Sequence, residues 1–304
     1  MQKAPENTGG SPFAPAKSTA WQTWRAARLE SAESALGSGF VTIQDPANLD
    51  ESERAEILAR CENTNMALYQ LAPSDNESDI RESLRQMAES LDMGLPEGHR
   101  SAGDKGIVAL TVSDKSTQRG FIPYSRKAMN WHTDGYYNDP AHEIRGFILH
   151  CVQDASQGGR NQLLDPAIAY IRLRDENPDY ITALMHPQAM TIPPNTEADG
   201  SIRPASIGPV FAQDSRGNLT MRYTARTRSI EWRDDPLTIE AADFLRNLLM
   251  NGDPLMREIK LKPGQGVLNN NVLHNRTAFD PDETGTRSRR LIYRIRFFNR
   301  IGEK

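Results

Sequence analysis

The last strong apolar segment of this chain alternates with a period of two. Arg290, Ile292, Arg294, Arg296 and Phe298 fall on one face of an extended strand; Leu291, Tyr293, Ile295 and Phe297 fall on the other. The second face is uniformly apolar and predicts packing on helices or on an opposing sheet. The first puts guanidiniums where a β-structure keeps its interior, which is costly unless they meet anions. A carboxylate gripped through two parallel hydrogen bonds offsets that cost. The competing reading is a half-exposed strand with solvated or surface-paired arginines, since antiparallel sheets commonly keep one polar face. Both readings demand a sheet.

The other strand signals are short and punctuated by turns. Residues 39–43, 67–71, 107–112, 121–124, 147–152 and 267–274 read as strands, and 210–213 with 219–223 as a hairpin. Helical spacing predicts 20–36, 50–61 with Asp50 as its cap, 78–91, 165–174, 177–185 and 239–251. Together these predict a mainly β, α+β fold: a β-sandwich or jelly roll with flanking helices. Residues 191–208 are rich in Pro, Gly and polar side chains, which predicts a lid or a disordered insert. Residues 1–20 read as a disordered tail, and 21–304 as one domain.

Two distant segments carry metal-ligand chemistry. Residues 130–134 run Asn-Trp-His-Thr-Asp, and 271–275 run Asn-Val-Leu-His-Asn. On a strand, His132 and Asp134 project from one face, so imidazole and carboxylate converge on one ion. His274, near the end of a strand-like run, is the best third ligand; His142 is a rival closer in sequence. Two histidines and one carboxylate make the facial set of non-haem Fe(II) oxygenases, which leaves positions open for other ligands. Two alternatives stay open: a zinc-dependent hydrolase with a bound water as nucleophile, and a non-catalytic metal-binding or regulatory jelly-roll protein. Neither a His-Glu-x-x-His helix nor a cysteine-rich zinc motif is present.

With these pieces in view, the chain resembles the taurine dioxygenase-like (TauD/TfdA) family of Fe(II)/2-oxoglutarate-dependent oxygenases. The resemblance runs over residues 67–298 and rests on 130–134, Gly158-Gly159, 264–274 and 289–294. It implies a double-stranded β-helix (jelly roll, cupin-like) core with Fe(II) held by His132, Asp134 and His274. It implies a dioxygenase using 2-oxoglutarate as co-substrate and O2, hydroxylating an unactivated C–H bond with release of succinate and CO2. Arg290 is then the partner of the far carboxylate of 2-oxoglutarate. It stands farther from His274 than the family pattern, so Arg287 and Arg289 are rivals. Where the family commonly has Thr or Ser after the glycine pair, this chain has Asn161, whose amide can donate the same hydrogen bond; Asn130 is assigned with it to the co-substrate pocket. Asp134 separates the chain from halogenating relatives, which lack this carboxylate.

The resemblance also implies a small anionic substrate. Arg294 corresponds to the residue that holds a sulfonate, and Tyr136, Tyr137, Tyr223 and Arg226 are candidates to line the same pocket. The net charge of −4 argues against a nucleic-acid partner. No apolar stretch reaches the length of a membrane span. Only Cys61 and Cys151 are present, which fits a reducing cytoplasm. Self-association into a homo-oligomer is left open by the sequence.

Overall fold

Helices begin where the chain offers a side-chain oxygen to an orphan amide. The computed structural model describes residues 11–13, 18–98, 106–113, 121–197, 200–280 and 290–303. Helix α1 (Thr19–Leu36) is capped by Ser18, and α2 (Glu51–Thr64) by a reciprocal box between Asp50 and Glu53. Helix α3 (Glu77–Ser90) buries Ile80, Leu84 and Met87 along one face. Helices α4 (Pro166–Glu176), α5 (Pro178–Leu184) and α6 (Pro236–Asn251) share one start signal: Asp or Asn caps, then Pro in the first turn.

A six-stranded sheet runs in the order Val41–Thr42, Met66–Gln70, Gln265–Asn269, Gly146–Gln153, Leu291–Phe297, Val108–Leu110. A four-stranded sheet runs Arg257–Ile259, Asn161–Leu164, Leu273–Arg276, Met129–His132. Alternation along these strands sorts the side chains into layers. Ile148, Tyr293, Ile295 and Phe297 face a core shared with Ile57, Leu84 and Met87 of α2 and α3. Phe147, Leu149, Cys151 and Ile292 point the other way, into a core shared with Leu163 of the smaller sheet. On that smaller sheet, Trp131, Leu164 and Leu273 face a third core, built with α1, α4, α5 and α6. The result is a mixed α/β protein dominated by sheets, with the sheet–sheet layer in the middle. The predicted apolar face of the last strand packs on helices, and its arginines project into that middle layer.

Several expectations change. Residues 121–124 form a single 3-10 turn, Ile122–Tyr124, where Pro123 has no amide to give a ladder. The predicted strand 267–274 is two strands in different sheets, with Asn271 at φ 56 in the bend between them. The segment 191–208 is neither a bare loop nor wholly irregular. Met190–Ile192 pairs with Ser206–Gly208 and with Glu231–Trp232, and Asn195–Thr196 pairs with Ile202–Arg203. Much of the expected tail, and Arg287 and Arg289, lie outside the described residues. Within the tail, Phe13 is buried against Trp24 and Tyr170, and Thr19 and Ala20 already belong to α1. No helix is long and apolar enough to cross a membrane among the described residues.

Candidate active site

Antiparallel pairing sets His274 directly opposite His132 on neighbouring strands of the smaller sheet. Their ring centroids lie 4.2 Å apart. Each ring donates Nδ1–H to the carbonyl two residues upstream: His132 to Asn130 at 2.8 Å and His274 to Val272 at 2.9 Å. That arrangement leaves both Nε2 lone pairs free to bind an ion. Burial is the main cause that lowers both imidazole pKa values, to about 3 for His132. Both rings are therefore neutral, the form that ligates metal.

Asp134 is not on the strand, which ends at His132, but in the turn beyond it. Its place is set from the bend at Asn271, where the chain crosses between the two sheets. Asn271 accepts from the Asp134 amide at 2.7 Å and donates to the carbonyls of Asp134 and Ile144 at 3.0 and 2.6 Å. Gly135 follows at φ 67, packed so closely on Ile144 that a Cβ would stand 2.5 Å from it. Burial acts against the Asp134 carboxylate, but the Arg294 guanidinium, with Arg296 behind it, outweighs it and holds the carboxyl well below its usual range.

The ligand atoms of His132, Asp134 and His274 all lie within 4.8 Å of one another. Asp134 Oδ1 takes the Arg294 guanidinium at 3.0 Å, whereas Oδ2 is buried with no hydrogen-bond partner among the described residues. An orphaned carboxylate oxygen beside two unprotonated imidazole nitrogens is a donor set that a divalent cation fits.

The three arginines of the last strand have three different situations. Arg294 is committed through one nitrogen to Asp134, and its Nε is buried without a hydrogen-bond partner among the described residues. Arg296 meets Glu97 and donates to the Tyr137 hydroxyl at 3.0 Å; despite burial, Tyr137, Asp134 and Glu97 raise its pKa. Arg290 is 9% exposed and forms no ion pair among the described residues. Its guanidinium carbon lies 5.1 Å from the Phe279 ring centre, and its Nε passes close to Gly159. Burial drags its pKa down to about 10, which is the cost of a cation awaiting an anion. The neighbouring Gly158 has no room for a side chain: a Cβ would come within 2.1 Å of the Ala278 carbonyl oxygen.

The remaining predicted residues divide. Asn161 is buried on the smaller sheet, its amide donating to the Asn275 carbonyl at 2.9 Å. The Asn130 side chain is exposed, and its carbonyl orients His132. The Tyr136 ring stands edge-on to His132 at 6.3 Å, and Tyr137 touches Tyr136 and Arg296. Arg226 is exposed, with its guanidinium 5.8 Å from the Tyr136 ring centre. Tyr223, expected at the pocket, packs its ring in the helical layer against Trp232. It serves the site only through its backbone, which exchanges hydrogen bonds with Thr133. His142, the rival ligand, lies in the turn Pro140–His142 with its ring near Phe298, and it is not part of the cluster. Asn271 and Glu97 went unassigned in the sequence reading. Three consecutive asparagines before the distal histidine are a turn signal that points to the first.

One outcome follows directly from the clamp. Asn271→Ala removes three buried hydrogen bonds and should destabilise the protein by about 2–4 kcal/mol. Ferrous affinity should fall about 10- to 100-fold, as for other residues that orient ligands. Chemical denaturation and anaerobic iron titration measure the two effects separately; unchanged iron affinity would show that Asp134 needs no clamp.

The family model described as "Taurine catabolism dioxygenase TauD, TfdA family" matches residues 21–295. The chain belongs to this family. TauD/TfdA proteins are non-haem iron dioxygenases dependent on Fe(II), 2-oxoglutarate and O2. A uridine-5'-phosphate dioxygenase from an Amycolatopsis species is 34% identical over 160 residues, covering 49% of this chain and 54% of the relative. The match thus spans about half the length of that protein. A Streptomyces protein of the same name is 29% identical over 199 residues, covering 62% of this chain and 68% of the relative. Two solved structures share the fold. Asparagine oxygenase, in complex with Fe(II), 2S,3S-3-hydroxyasparagine and succinate, superposes with a TM-score of 0.61 at 15% identity over 92% of each chain. The non-heme iron oxygenase OrfP, with Fe and alpha-ketoglutaric acid, gives 0.60 at 17% identity over 92% of each chain. The zinc hydrolase and the non-catalytic binding protein are favoured by none of these.

Proposed function

We propose that this TauD/TfdA protein is an Fe(II)- and 2-oxoglutarate-dependent dioxygenase that hydroxylates a C–H bond of a small anionic metabolite. Succinate and CO2 are the co-products. The core is assigned as a double-stranded β-helix, built from the six- and four-stranded sheets. The observation that carries the activity is the buried trio His132, Asp134 and His274, with an unsatisfied carboxylate oxygen among its ligand atoms. Similarity to two uridine-5'-phosphate dioxygenases makes a nucleoside 5'-phosphate the leading substrate class.

His132, Asp134 and His274 would hold the ferrous ion. Bound there, it supplies oxygen activation coupled to decarboxylation of 2-oxoglutarate. The residues of the chain do the rest. The two backbone-anchored imidazoles keep their lone pairs on one side without needing to lose a proton. Arg294 holds one Asp134 oxygen and leaves the other for the ion. Arg290, buried and in no ion pair among the described residues, takes the far carboxylate of 2-oxoglutarate and so offsets its own desolvation. Asn161 is a second polar contact in that layer. Phe147, packed 4.9 Å from the His274 ring, helps keep water out.

The test is succinate release. Iron-loaded protein with 2-oxoglutarate should form succinate in step with oxidation of uridine 5'-phosphate or another small anion, and a chelator should stop it. Anaerobic addition of 2-oxoglutarate should also give the weak visible band of its ferrous chelate. Absence of that band, together with no succinate across a panel of phosphorylated, carboxylated and sulfonated metabolites, rejects the assignment.

A further inference from the structure

Arg294, the residue first expected to hold the substrate anion, has one nitrogen engaged by Asp134. Arg296 is engaged by Glu97 and Tyr137. Arg203, which lies over the Tyr137 ring, spends its nitrogens on the carbonyls of Tyr137, Pro193 and Pro204. These three arginines are thus already engaged by the protein in whole or in part, which favours a substrate-binding cation elsewhere near the metal ligands.

The chain provides one in a defined place. Residues 223–225 are stitched along the strand that carries His132. The Thr133 amide donates to the Tyr223 carbonyl at 3.0 Å, and the Ala225 amide to the Trp131 carbonyl at 2.8 Å. The Tyr223 amide donates to the Thr133 hydroxyl at 3.0 Å, and Thr224 bridges His132 directly. Arg226 leaves this stitched edge at once. Its guanidinium lies over Tyr136, the ring that abuts His132. Arg228 follows, and Ser229 then turns the chain at φ 62, a left-handed conformation that a non-glycine residue adopts at a cost. Both arginines are exposed, and neither forms an ion pair among the described residues. The stitching fixes where the loop starts, while its cations stay free for a ligand.

We propose that Arg226 and Arg228 read a phosphate monoester on the substrate, and so set specificity for phosphorylated over uncharged molecules. This rests on the oxygenase reading above. A phosphate monoester carries a charge of about −1.5 to −2 at neutral pH and has three acceptor oxygens. Its charge therefore matches two guanidiniums, where a carboxylate or sulfonate carries a single negative charge.

The experiment is calorimetric binding to anaerobic protein loaded with Fe(II) and 2-oxoglutarate, with uridine 5'-phosphate and uridine as paired probes. The wild type should bind the nucleotide at least about tenfold more tightly than the nucleoside. The double variant Arg226→Gln with Arg228→Gln should lose that difference by weakening the nucleotide alone, while Arg226→Lys retains part of it. A wild type that binds both probes equally overturns the proposal. So does a double variant that binds the nucleotide as the wild type does. If the visible chelate band forms and no nucleotide binds, the phosphate assignment falls and the oxygenase reading stands. If the wild type gives neither the band nor succinate with any substrate of the panel, the oxygenase reading fails and this inference falls with it.

Discussion

Alanine at His274 is expected to remove iron binding and turnover together. The residue faces His132 across one strand pair, and its loss reduces the donor set from three side chains to two. Residues that merely orient ligands are worth about 10- to 100-fold, so losing a ligand should cut turnover by on the order of 10³-fold or more. The ring is packed between Phe147 and His132, at 4.9 and 4.2 Å, so a cavity also opens. A thermal melt separates this from unfolding: the variant should melt cooperatively while ferrous titration shows no saturable site. Wild-type turnover in a folded His274→Ala protein would sink the metal assignment.

Arg290→Gln should act on the co-substrate alone. Truncating one member of a buried, hydrogen-bonded charge pair costs about 2–5 kcal/mol, so KM for 2-oxoglutarate should rise by at least about 30-fold. Iron affinity should hold, because Arg290 touches none of the three ligands. Arg290→Lys should fall between the two, keeping charge but not the planar fork. An unchanged KM would transfer the role to Arg287 or Arg289. The near-neighbour Gly159 predicts otherwise, since its bare Cα lies against the Arg290 side chain.

Local signals made much of this fold legible. Asp50, named as a cap from sequence, begins α2, and the predicted starts at 165 and 177 fall on the caps of α4 and α5; the start predicted at 239 missed the cap of α6, Asp235. The alternation of the last strand correctly separated an apolar face from a charged one, because side-chain direction in a strand depends only on parity. Three arginines on that face looked alike in sequence. Their partners come from elsewhere in the chain: Asp134 for Arg294, Glu97 for Arg296, and no described carboxylate for Arg290. The run 267–274 read as one strand because apolar pairs, Val267-Leu268 and Val272-Leu273, flank its three asparagines. Only Asn271, with its positive φ and three long-range hydrogen bonds, marks where the chain crosses between sheets. Tyr223 misled for a similar reason: proximity to the His132 strand is a backbone property here, and the ring turns outward to the helices.

The bend at Asn271 ties metal capture to completed folding. His132 and His274 meet once the smaller sheet has zipped, but the aspartate is delivered by a side chain sitting at the crossover to the larger one. At the proposed iron site, a partly assembled chain would therefore offer only a two-point perch, and full retention would wait until both sheets are seated.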